Sequence, residues 1–204
     1  MTGRYVAALV VLALTIPVTT SAHSYRFTYS NPSLGRADAP LILEYFGAVD
    51  CGPCLRFERS ELAELRSEIE SGRLRVIFRD LPATDAKMPL ARQVFCLQEL
   101  DEVLDARLRL KQSGAASSAL AGPVAGRPRA RFEACLDDPA AETVARHNFE
   151  AFSQRGFVAT PSFVLTHRSA SGRSEETWSG PHAAGVVAAA LRRITHPHSL
   201  HAGD

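Results

Sequence analysis

The feature that most restricts what this chain can fold into is a pair of cysteines three residues apart, Cys51-Gly52-Pro53-Cys54, set between an apolar run and an amphipathic one. Upstream, Leu41 to Phe46 (LILEYF) is almost continuously apolar, carries the lone charge Glu44, and is bounded by Pro40 and Gly47. That is the pattern of a strand buried on both faces. Downstream, Leu55, Leu62, Leu65 and Ile69 recur at helical spacing until Gly72 supplies a stop. Leu74 to Phe78 (LRVIF) then alternates as a strand that Leu81-Pro82 ends. Strand, CxxC, helix, strand is a βαβ unit, with parallel strands, a right-handed crossover, and ligand sites beyond the carboxyl ends of the strands. The CxxC lies at that edge.

The rest of the chain extends an α/β fold. Tyr25 to Tyr29 reads as a short strand, and Asn31-Pro32 through Gly35 as a turn. From Met88 to about Arg155 the pattern is helical, interrupted over Gly114 to Pro128 by Gly, Ala, Ser and Pro, so residues 87–155 read as a helical insertion. Val158 to Leu165 is an apolar strand opened by Pro161, Glu176 to Ser179 is its expected hairpin partner, and Pro181 starts a last helix to Ile194. Phe163 and Trp178 read as packing residues of that hairpin, and the tail from Thr195 to Asp204 as frayed.

At 204 residues, 46% hydrophobic content and a formal charge of +1, the sequence has the balance of one globular domain and no basic footprint for nucleic acid. Its first residues set its compartment. Arg4 precedes an apolar run from Tyr5 to Ile16, followed by Pro17 and the small residues Thr20, Ser21 and Ala22. This is the layout of a secretory signal peptide over residues 1–22, leaving residues 23–204 as the domain; the run is shorter than the about 20 apolar residues a spanning helix needs. An uncleaved anchor is the alternative. Export permits lasting disulfides. Of the three pairings four cysteines allow, adjacency and export favour Cys51 with Cys54 and Cys96 with Cys135.

A thiol reacts as its thiolate, and a cysteine just before a helix meets unpaired amides and the positive end of the helix dipole, which favour the anion. Pro53 suits the first turn, where no amide donor is required. Cys51 is therefore the candidate attacking sulfur and Cys54 the resolving one. Half a zinc site or an inert staple are the alternatives; zinc needs two more ligands at matching spacing, which Cys96 and Cys135 lack. No metal or other cofactor is expected. His147 and the tail residues His196, His198 and His201 read as surface histidines, and Arg56 and Arg59 as solvated.

The run Leu43-Glu44-Tyr45-Phe46 into Cys51-Gly52-Pro53-Cys54, the helical insertion, and Thr160-Pro161 together resemble the DsbA-like branch of the thioredoxin superfamily, over about Asp38 to Arg193. The resemblance implies a thioredoxin fold with the helical insertion between the βαβ unit and a cis-proline strand. It also implies a periplasmic thiol:disulfide oxidoreductase that exchanges disulfides with protein substrates and has a membrane redox partner. It carries over Pro161 as the cis proline facing the redox pair, with Thr160 offering its backbone to an extended substrate; an ordinary trans proline at a strand start is the alternative. It assigns Glu44 the buried acid that moves protons at the resolving cysteine, against a strand-edge carboxylate facing water. Here the sequence departs from the family, whose acid stands one residue closer to the first cysteine than Glu44 does. Cys96 and Cys135 match a second, structural disulfide, with free thiols or a relay as alternatives.

Direction is left open by the dipeptide: Gly52-Pro53 is what reducing thioredoxins carry, where strong oxidants have Pro-His. Asp50 beside Cys51 either raises its thiol pKa or is a solvated loop residue. The competing expectations are a periplasmic reductase of the same fold and a non-enzymatic metal-binding or chaperone-like module.

Overall fold

Leu41–Ala48 is a strand, β2, and is buried along nearly its whole length, as its apolar run requires. The computed structural model describes residues 30–82, 84–99, 107–109, 127–181 and 183–195. The expected signal peptide, the strand over Tyr25 to Tyr29, most of the Gly114 to Pro128 break, and the tail histidines fall outside them. β2 leads into a helical stretch that is not one regular helix: α1 (Gly52–Arg56), a π-helical turn (Phe57–Glu61), α2 (Leu62–Glu64) and α3 (Arg66–Glu70). Gly72, with φ of +78°, closes α3 by returning its amide to the Ile69 carbonyl at 3.0 Å. β3 (Leu74–Leu81) follows, parallel to β2.

Helices α4 (Met88–Cys96), α5 (Arg127–Asp137) and α6 (Pro139–Gln154) lie between β3 and β4 (Ser162–Ser169) in chain order. The stretch expected to resume at Arg131 is thus two helices, because Pro139 cannot continue α5 but fits the first turn of α6, where Asp138 caps the Ala140 amide at 2.9 Å. β5 (Gly172–Ser179) and α7 (Ala183–Thr195) complete the chain.

The sheet order is β1-β3-β2-β4-β5, with β1 (Ser33–Leu34) antiparallel to β3. The stretch Asn31 to Gly35, expected as a turn, therefore contains a two-residue edge strand; two residues are too few to show a period. On one face of the sheet Leu43, Tyr45, Val76, Phe78 and Phe163 pack with Cys54 of α1, Phe57 of the π-helical turn, and Val187 and Leu191 of α7. On the other, Phe46, Leu81 and Val164 meet Phe152 of α6. Complete burial of one such side chain contributes about 1.5–3 kcal/mol. The insertion has its own core of Val94, Phe95, Cys96, Phe132, Cys135 and Val144. Among the described residues, no helix is long and apolar enough to cross a membrane.

Candidate redox site

Cys51 caps the amino terminus of α1 from an extended backbone, with φ −98° and ψ 109°. Its sulfur accepts the Cys54 amide at 3.1 Å, so one of the orphan N–H groups at the helix start already points at it. Pro53, in the first turn, has no amide to leave unpaired. Cys51 is half-buried and Cys54 wholly buried, and their sulfurs are bonded across a Cα separation of 5.2 Å. The first cysteine is thus partly open at the surface while the second is shielded by the core.

The start of β4 shares this edge. Ser162 is in register with Phe46 on β2, five residues before Cys51. The Thr160-Pro161 bond just ahead of Ser162 is cis. Pro161 is buried and its carbonyl accepts the Gly180 amide at 2.9 Å. Thr160 is half-buried and, among the described residues, pairs with no strand of the sheet. Nearby, Val158 is 91% exposed, an apolar side chain left open beside the site that the sequence reading passed over.

Glu44 is not at the site. Alternation along β2 turns Leu43 and Tyr45 toward Cys54 and Glu44 away from it, to the face that carries Phe46. There its carboxylate accepts Arg79 Nε at 3.0 Å and lies 3.6 Å from Arg155, in a pocket of about 200 Å³ that also holds Thr166 and Arg173. The role expected of Glu44 is corrected accordingly: the extra residue before Cys51 places it in the opposite phase of the strand.

The inward place belongs to Tyr45. It is fully buried, its ring lies tilted 4.7 Å from Phe57 and stacks 5.5 Å from Phe163, and its hydroxyl lies 3.4 Å from the Cys54 carbonyl. Burial first, and the neighbouring Glu58 charge second, hold its phenol well above the ordinary range. Gly47 is required here, because a Cβ at that position would collide with the Tyr45 hydroxyl.

Three charged residues that the sequence reading missed sit behind Cys54. Glu58, Asp80 and Arg107 are all buried. Arg107 donates to Asp80 at 2.6 and 2.7 Å and to Glu58 at 3.1 and 3.4 Å. Two of them had a signal. Glu58 lies four residues from both Cys54 and Leu62 on the apolar stripe, and Asp80 continues the inward alternation Leu74, Val76, Phe78.

Other candidates are peripheral. Asp50 is exposed and 3.4 Å from the equally open Lys87, and Arg56, Arg59 and His147 are exposed. Cys96 and Cys135 are bonded and buried in the insertion. Among the described residues, no group of three His, Cys, Asp or Glu is placed to hold a metal ion.

The family model described as thioredoxin matches residues 28–180. The chain belongs to the thioredoxin family. Among curated proteins, no relative matches it in sequence. Solved structures with the same fold include Wolbachia pipientis alpha-DsbA1, at 17% identity and TM-score 0.63, covering 83% of this chain and 93% of that one. Pseudomonas aeruginosa DsbA2 aligns at 18% identity and TM-score 0.59 over 83% of this chain and 97% of its own. Oxidised BdbD from Bacillus subtilis aligns at 14% and 0.60 over 80% and 91%. This thioredoxin-family chain therefore has the DsbA-like fold, helices inserted between the βαβ unit and the cis-proline strand, with a Cys-x-x-Cys pair at the edge where β2 ends.

Proposed function

We propose that the protein is an exported thiol:disulfide oxidoreductase that oxidises or isomerises protein substrates through Cys51 and Cys54. The observation that carries this reading is the asymmetry of the pair: Cys51, half-buried, takes a backbone amide at its sulfur, while Cys54 is shut in the core. A thiolate of the client attacks the Cys51 sulfur, the Cys51–Cys54 bond breaks, and Cys54 leaves as a thiolate that takes up a proton. A second client thiolate then attacks the client sulfur of the mixed disulfide, releasing Cys51. The client loses two electrons as its new bond closes, and the protein ends reduced, with Cys54 as the thiol and Cys51 as the thiolate. A quinone-linked membrane oxidase, as redox partner, restores the bridge.

Thr160 and Pro161 form the client platform in this reading: an extended chain pairs with the Thr160 backbone, which among the described residues joins no strand, and Val158 offers it an apolar contact. Periplasmic location rests on the signal peptide read over residues 1–22, with 23–204 as the mature domain; sequencing the amino terminus of the exported protein tests it. Gly52 and Pro53 bring no side-chain donor to the Cys51 sulfur, which favours a poise milder than that of the strongest oxidants and keeps the reductase as a second reading. Equilibration with glutathione decides between them: a potential at or below about −250 mV contradicts the oxidase. Insulin reduction by Cys51→Ser separates both from a module without activity, since only an enzyme loses turnover while keeping its fold.

A further inference from the structure

The buried ion cluster behind Cys54 joins three parts of the chain. Glu58 comes from the active-site helix, Asp80 from the carboxyl end of β3, and Arg107 from the helical insertion. Side-chain exposures are 0% for Arg107, 0% for Glu58 and 4% for Asp80. The guanidinium also lies 4.4 Å over the Phe78 ring, and the Tyr45 hydroxyl spans the gap between Glu58 and the Cys54 backbone. Burial opposes a charge on Arg107, yet Asp80 and Glu58 hold its pKa above the ordinary value, so it is a fixed cation. A structural anchor alone would need no charge here, because apolar side chains of similar volume hold such a junction as well or better. What a cation supplies is an electrostatic offset to carboxylates close to a sulfur that must become an anion.

We propose that Arg107 is a positioning residue for the redox centre: held by Glu58 and Asp80, its guanidinium offsets their charge beside Cys54 and so sets how readily that sulfur leaves as a thiolate. This rests on the function proposed above and adds that the insertion supplies the cation that tunes the pair. Removing Arg107 leaves one positive charge fewer beside both carboxylates, whatever else touches them. As a general scale, a unit charge at a separation of about 10 Å in an effective dielectric of about 20 shifts a thiol by about one pKa unit. Tyr45 from β2, Glu58, Asp80 and Arg107 are the titratable and charged groups described facing this junction.

The test is the titration of Cys54 in the reduced full chain, read from its 13Cβ chemical shift, in wild type, Arg107→Met, Glu58→Gln and the double variant. The expected result is an upward shift of about one unit for Arg107→Met, a downward shift for Glu58→Gln, and a return to within a few tenths of a unit of wild type in the double variant, where one charge of each sign is gone. Superimposable titrations in every folded variant overturn the proposal. Should Arg107→Met not fold, Glu58→Gln decides alone: a downward shift supports the proposal and an unchanged curve refutes it. A wild-type chain that fails to exchange with glutathione contradicts the functional reading instead and leaves this titration measurable.

Discussion

Breaking the bridge between Cys96 and Cys135 should cost this protein a large part of its stability and none of its chemistry. The bond closes a loop with a sequence separation of 39 residues. In the chain-entropy treatment a loop of that size contributes about 4 kcal/mol at 25 °C by restricting the unfolded chain. The bridge ties α4 to α5 inside the insertion's own core, where both cysteines are buried, so Ala replacements also leave a small void. For a domain of this size, 4 kcal/mol corresponds to a fall in Tm of about 10 °C. Thermal melts of Cys96→Ala, Cys135→Ala and the double variant, followed by circular dichroism without reductant, measure it. Because either single change already opens the loop, the singles should lose nearly as much as the double. A fall of less than about 2 °C in the double variant refutes the reasoning.

Cys54→Ser should trap mixed disulfides with client proteins on non-reducing gels, because Cys51 then has no resolving partner; the absence of such adducts counts against Cys51 as the exposed sulfur. Glu44→Gln should leave glutathione exchange within about two-fold of wild type while costing about 1 kcal/mol through its partly buried contacts to Arg79 and Arg155, and a ten-fold fall in exchange would restore the role taken from it. Asp80→Ala should destabilise by about 3–5 kcal/mol, seen as a lower urea midpoint, because it leaves a wholly buried guanidinium short of a partner. Glu175 is held below the usual carboxylate range, first by its hydrogen bond from Arg173. Since its folded pKa is lowered, its contribution is complete above the unfolded value and lost as pH falls, so Glu175→Gln should lower Tm slightly at pH 7 and converge with wild type as pH falls below about 4.5, flattening part of the acid fall.

The βαβ unit and the redox pair were legible because their signals are local: an apolar run, a helix start and a spacing of three. Pro161 was legible for a similar reason, as a proline opening an apolar strand. Glu44 was misread because facing is a matter of phase. Its charge in an apolar run marked it as notable, but one residue of offset decides which side of β2 it occupies, and only pairing with β3 and β4 fixes that phase. Glu58 and Asp80 sat in plain sight on apolar stripes, yet a charge there is buried only when a partner reaches it. That partner, Arg107, stands 49 residues from Glu58 in a helical stretch with no mark of its own. The π-helical turn at Phe57–Glu61 was hidden too, since one added residue in a turn leaves the apolar spacing nearly helical.

In the reduced protein the start of α1 should hold the Cys51 sulfur as an anion. The pH dependence of thiolate absorbance in the reduced protein, compared with that of Cys51→Ser, isolates the ionisation of Cys51. A midpoint at least one unit below the about 8.5 of free cysteine is the expected result. A midpoint at that free value would contradict it.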